Sequence, residues 1–157
     1  MGTVLMLLAL AGVSPDWTCT HKDVTTNRDE LAARIFGTTR SAEHAALMIA
    51  VMRFESGFRC HARPCLRRGR HRCLQFGSAT GLGQIIRNQH VKDLDLDDPL
   101  QNVTATSLMI SSLAGWDPSR ICHYRDGGTC DLDHPEYARG IRALTNRLLG
   151  QLHGGRS

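Results

Sequence analysis

Several familiar signatures are missing from this chain of 157 residues. No convincing run of alternating apolar and polar residues marks a strand, so a sheet protein is not expected. There is no internal repeat and no low-complexity tract, which excludes solenoids and linker-like tails. The apolar opening, MGTVLMLLALAGVS, is too short to cross a bilayer, and no Lys or Arg precedes it as in an ordinary signal peptide. Asp95, Asp97 and Asp98 lack the alternation and the closing Glu of a calcium loop. Cys60, Cys65, His71 and Cys73 have the residue types of a zinc site, but their spacing fits no regular zinc pattern. No metal and no cofactor is therefore expected.

What is present is ordinary in bulk and unusual in detail. Apolar residues make up 41% and charged ones 22%, the composition of a globular protein rather than a disordered one. The length fits one domain with a sizeable core. A formal net charge of +4 suits an anionic polymer without singling out nucleic acid, and no nucleic-acid partner is expected. Six cysteines, an even number, favour disulfides and an oxidising compartment. Their pairing is open, with Cys122–Cys130 the first candidate because the two bracket the short loop RDGG. The opening stretch also carries Ala9-Leu10-Ala11, an A-x-A cleavage pattern, so residues 1–26 read as a signal-like or irregular lead-in to a domain over 27–153.

The most informative stretch is Ala45 to Ser56, AALMIAVMRFES. Eight consecutive residues, Ala45 to Met52, carry no polar side chain, so this helix is expected to be buried on every side. Ser41 can cap its start, Glu43 suits its first turn, and Gly57 can stop it. Glu55 then falls in the last turn, where burial and the negative end of the helix dipole both oppose ionisation. A glutamate held protonated near neutral pH is what general-acid chemistry requires. The alternative is a surface glutamate at a frayed helix end.

Around this helix the expected elements are mostly helical. Asn27-x-x-Glu30 has the form of a capping box, with Leu31, Ile35 and Phe36 on one face and Gly37 closing the helix. Phe58 to Thr80 reads as a long surface loop needing covalent staples. Its Arg67, Arg68, Arg70, His71 and Arg72 form a basic patch, either a solvated face or an anion site. A short helix can follow from Ile86 to Leu94. Asp98-Pro99 starts another helix, with Leu100, Val103, Leu108 and Leu113 as its apolar stripe up to Gly115. Asp117-Pro118 starts a short one through Tyr124. Asp133-x-x-Glu136 caps the last, which buries Tyr137, Ile141, Leu144, Leu148 and Leu152.

Four blocks in this order resemble one family. Phe54-Glu55-Ser56-Gly57-Phe58 resembles the catalytic Glu-Ser motif of the soluble lytic transglycosylases. Ser78-Ala79-Thr80-Gly81-Leu82-Gly83-Gln84-Ile85 resembles their Gly-Leu-Met-Gln motif, with Gly83 where Met is commoner. Asp98-Pro99-Leu100-Gln101-Asn102-Val103 resembles their Asp-Pro-x-x-Asn-Ile block, which usually continues to a Gly; Ala105 or Thr106 stands near that place here. His123-Tyr124-Arg125-Asp126-Gly127 resembles their Ala-Tyr-Asn-x-Gly motif, with Arg125 for the usual Asn. The insert between the first two blocks is longer than usual.

The resemblance implies a lysozyme-like (goose-type) single domain, mostly α, with a buried central helix and disulfide-stapled loops. It implies a cleft for peptidoglycan glycan strands, and cleavage that leaves a 1,6-anhydro end. Glu55 would be the catalytic acid and base. Ser56, Gln84 and Tyr124 would contact or position substrate, against the plainer readings of Gln84 as a turn-stabilising amide and Tyr124 as a half-buried core ring. The alternatives are a muramidase of the same fold and a non-catalytic wall-binding module. Export to the periplasm or outside the cell is expected. Wall recycling, a secretion or conjugation machine and phage infection remain open as settings. From the cysteine count, thiol titration of denatured, unreduced protein should find few free thiols, and six would remove the disulfides.

Overall fold

A run of side chains without polar atoms stays out of water only if other elements cover every side of its helix. In a computed structural model, which describes residues 1–62, 79–86, 89–121, 124 and 135–154, this is the arrangement found. Helix α1 spans Gly2–Leu10, α2 Arg28–Thr38, α3 Ala42–Glu55, α4 Pro99–Met109 and α5 Pro135–Gly154. Helix α3 lies among α1, α2 and α5, with α5 its main neighbour, and all of Ala45 to Met52 are buried. Its Ser41 Oγ accepts the His44 amide, as an N-cap should.

The opening stretch with signal-like composition forms α1, and Val4, Leu7 and Leu8 are buried against α2, α3 and α5. The capping box of α2 is complete: Asn27 accepts the Asp29 and Glu30 amides, and Glu30 accepts the Asn27 amide. The helix buries Leu31, Ala32 and Ile35 and ends at Thr38, past Gly37, while Phe36 is exposed rather than part of the core face.

Residues 14–27 are not irregular throughout. Thr18–His21 (β1) and Val24–Asn27 (β2) pair as an antiparallel hairpin, with His21 opposite Val24. Lys22 and Asp23 form the two-residue turn, both with positive φ (46° and 64°), as the twist of a tight hairpin demands. Cys19 of β1 is joined to Cys60 by a disulfide, which removes Cys60 from any zinc cluster with Cys65, His71 and Cys73. Those three residues, the Arg67–Arg72 patch, Cys122, Cys130 and Asp133 lie outside the described residues.

Two further expectations are corrected. Residues 89–94 are turns rather than a helix. The buried face of α4 is Pro99, Asn102, Val103, Ala105, Thr106 and Ser107, while Leu108 is exposed. Asp98 caps α4, its Oδ1 accepting the amides of Leu100 (2.8 Å) and Gln101 (2.9 Å), and Pro99 occupies the first turn. The helix widens into a π-type turn over Ile110–Ala114 and stops at Gly115, in the left-handed region. Asp117 caps a single 3-10 turn, Pro118–Arg120, and Tyr124 follows in helical conformation. Helix α5 buries Ile141, Leu144 and Leu148 as expected, with Tyr137 and Leu152 half-buried against the core. Among the described residues no helix is long and apolar enough to cross a membrane.

The hairpin turn is fastened to the segment before α4. Lys22 Nζ lies 2.7 Å and His21 Nε2 3.1 Å from Asp95 Oδ2. These contacts, Lys22 first and then His21, hold the Asp95 carboxyl down to about 2. A carboxyl lowered in the folded state stabilises it fully at neutral pH and loses that contribution as pH falls from about 4 towards 2. Asp95→Asn should therefore lower the melting temperature slightly at pH 7, with the difference from wild type closing over that acid range.

Candidate active site

Glu55 is the last residue of α3, and the chain turns away from it sharply. Ser56, buried, donates its Oγ proton to the Met52 carbonyl (3.0 Å) and accepts the Phe58 amide (3.1 Å). Gly57 and Phe58 both have φ of 62°. This is costless for glycine, but a side chain in that region costs on the order of 1 kcal/mol. Phe58 is held there by its own burial and by Trp17, whose Nε1 donates to the Phe58 carbonyl at 3.0 Å. Ser56 thus shapes the turn after Glu55; both its hydrogen bonds go to backbone.

Glu55 is half-buried, and Tyr137 on the first turns of α5 donates its hydroxyl proton to Glu55 Oε1. The Tyr137 ring also meets Phe54 edge-on, with centroids 6.5 Å apart. Phe54 fits against α5 because position 140 is glycine: a Cβ there would lie 2.5 Å from the Phe54 ring.

The second block forms a tight turn closed by reciprocal backbone bonds between Thr80 and Ile85 (3.1 and 3.0 Å). Gly81 has φ of 75°, and a Cβ on it would overlap the Asn102 amide. Asn102, fully buried on α4, holds the turn with its whole side chain. Its Oδ1 accepts the Gly83 amide (2.9 Å), and its Nδ2 donates to the carbonyls of Thr80 (2.8 Å) and Leu96 (2.9 Å). Gln84, at φ 49°, spends its amide group on the backbone, donating to the carbonyls of Ala62 (2.6 Å) and Gly81 (2.7 Å). The turn-stabilising reading of Gln84 is the one its contacts match.

Tyr124 donates to the Gly83 carbonyl at 2.6 Å. Burial first, and then the negative charge of Glu55, push its hydroxyl well above the ordinary tyrosine range, while a hydrogen bond with Thr106 works the other way. Tyr124 is therefore a protonated donor at any working pH, not a base. Gly83 and Thr106 also meet here. A Cβ at Gly83 would overlap Thr106 Oγ1 and come within 2.8 Å of the Tyr124 hydroxyl, so the small residue at 83 and the larger one at 106 occupy one space.

The structure thus brings together the 81–84 turn, Asn102 and Tyr124, one group from each of the last three blocks, with the charge of Glu55 reaching Tyr124. His123, Arg125, Asp126 and Gly127 lie outside the described residues. Tyr137 and Thr106 are additions that sequence reasoning did not assign to the site. Tyr137 read only as one position on a buried face, and its reach to Glu55 depends on how α5 docks on α3. Of the aspartates, Asp95 is tied to the hairpin and Asp98 to the start of α4. In comparisons with family models, curated proteins and solved structures, nothing matches the chain.

Removing the Asn102 side chain would strand one amide and two carbonyls in the interior. At about 1 to 3 kcal/mol for each unsatisfied buried group, Asn102→Ala should cost roughly 3 kcal/mol or more, measured by denaturant unfolding.

Proposed function

We propose that the protein is a peptidoglycan lytic transglycosylase, cleaving the bond between N-acetylmuramic acid and N-acetylglucosamine with Glu55 as its single acid and base. The observation that carries the reading is the setting of Glu55. It ends a helix buried on all sides, and its Oε1 is held by Tyr137. Oε2 would carry the proton delivered to the leaving glycosidic oxygen. The cation formed at the anomeric carbon would be stabilised by the substrate's own N-acetyl group. The sugar's 6-hydroxyl would then close on that carbon and return its proton to Glu55, so no water is consumed.

A hydrolase working in the usual way needs a second carboxylate flanking the bond. Asp95 and Asp98 serve other contacts, which favours the single-carboxylate route over the muramidase reading. The Cys19–Cys60 disulfide suits an exported protein acting on the wall, alone or within envelope machinery.

Glu55→Gln should abolish cleavage while leaving the melting temperature near wild type, because glutamine still offers an oxygen to Tyr137. Tyr124→Phe should cost less. Mass spectrometry of digested peptidoglycan should find mostly 1,6-anhydro ends. Reducing ends, with one of Asp93, Asp95, Asp97 or Asp98 indispensable to turnover, would move the protein to the muramidases. Binding to walls without cleavage, unchanged in Glu55→Gln, would make it a binding module.

A further inference from the structure

We propose that Phe54 is a substrate-binding residue: its half-exposed ring is a platform on which an N-acetylhexosamine ring of the glycan strand stacks, beside Glu55. The inference rests on the transglycosylase reading and adds to it a contact with the sugar itself.

Helix α3 hides Ala45 to Met52 completely, yet one turn later Phe54 is 47% exposed. A phenylalanine at a surface is unremarkable when its ring is free to move. This ring is not free. Its tip rests on α5 at Gly140, where a Cβ would lie 2.5 Å from Phe54 Cζ and 2.6 Å from Cε1. One turn earlier on α5, the Tyr137 ring meets it edge-on, with centroids 6.5 Å apart and planes at 81°. Positions 137 and 140 are three apart and are neighbours on one face of a helix. Phe54 is therefore seated in a notch of α5, fixed at two points, with close to half of its surface left in water.

The notch adjoins the acid. Tyr137, whose ring meets Phe54, donates its hydroxyl proton to Glu55 Oε1, so ring and carboxyl both lie against one tyrosine at the end of α3. A phenyl ring has no hydrogen-bonding group, so its ligand must bring apolar surface of its own. A pyranose does: C–H groups cover its faces, and its hydroxyls point outwards from the rim. Stacked on an aromatic face, the sugar buries those C–H groups against the negative side of the ring quadrupole while its hydroxyls stay in water. A ring held in advance loses little freedom when the sugar arrives. A strand whose scissile oxygen lies at Glu55 has a sugar on either side of that bond, and Phe54 holds one of the two.

Phe54→Leu keeps an apolar side chain against Gly140 and removes the aromatic face. On purified peptidoglycan its KM should rise about tenfold, the loss of one stacking contact, with kcat little changed, because the platform holds ground state and transition state alike. Gly140→Ala keeps the ring and spoils its seat; it should weaken binding in the wild type and cost nothing further in Phe54→Leu. Binding is also read without turnover, by titrating the protein with a soluble N-acetylglucosamine tetramer. With carbon-13-labelled phenylalanine rings, the Phe54 ring should show NMR cross-peaks to the sugar's C–H protons, and these should vanish in Phe54→Leu. An unchanged KM in Phe54→Leu, a fall in kcat alone (a ring that merely props Tyr137), or a tetramer that gives no cross-peak to Phe54 would overturn the proposal. A tetramer that stacks on Phe54 in a protein unable to cleave peptidoglycan would sink the transglycosylase reading and leave the platform standing.

Discussion

A helix with no face for water imposes its needs on everything around it. Covering Ala45 to Met52 takes three other helices, and it leaves only the ends of α3 open to the surface. Each of its larger side chains contributes on the order of 2 kcal/mol by burial, so the enclosure is strongly favoured. The carboxylate at the end of such a helix inherits that rigidity. Glu55 cannot drift, because the turn behind it is anchored by α3 and the residue before it is packed against α5.

The 81–84 turn is held in a different way. It buries Leu82 in the core and also depends on polar groups that α4 hides from water. Asn102 supplies two bonds to it, at Gly83 and Thr80, and a third to Leu96, and Tyr124 adds one at Gly83. Each is stronger for being buried, and each would be costly to break singly. The surroundings of Glu55 are thus set by packing, and the turn by a hydrogen-bond network to which Tyr124 contributes.

The helix and the turn differ in how plainly the amino-acid sequence announces them. The apolar run of α3 has one physical solution, and its burial, its Ser41 cap and its stop near Gly57 could all be read beforehand. The caps at Asn27 and Asp98 were equally plain. The hairpin was not, because Thr18 to Asn27 is nearly all polar, buries only Cys19 and Thr26, and turns on Lys22-Asp23 instead of a glycine pair. The face of α4 was misread for a related reason. Its buried stripe contains Asn102 and Thr106, polar residues that satisfy themselves internally, while Leu108 is left outside. Hydrophobic periodicity cannot find a stripe that is held by hydrogen bonds. The partnership of Tyr137 with Glu55 joins residues 82 positions apart and follows from helix docking alone.

The bond between Cys19 and Cys60 spans 41 positions, and within that span lie β2, α2 and the whole of α3. Glu55 and its supporting helix are therefore carried on a covalent ring. Closing a ring of this size removes freedom from the unfolded chain worth roughly 4 kcal/mol in the entropic account. Even when the core is lost, Glu55 stays within a short tether of the hairpin that braces the turn beyond it. In an oxidising medium this half of the molecule can loosen without coming apart, whereas a reducing one would leave its cohesion to packing alone.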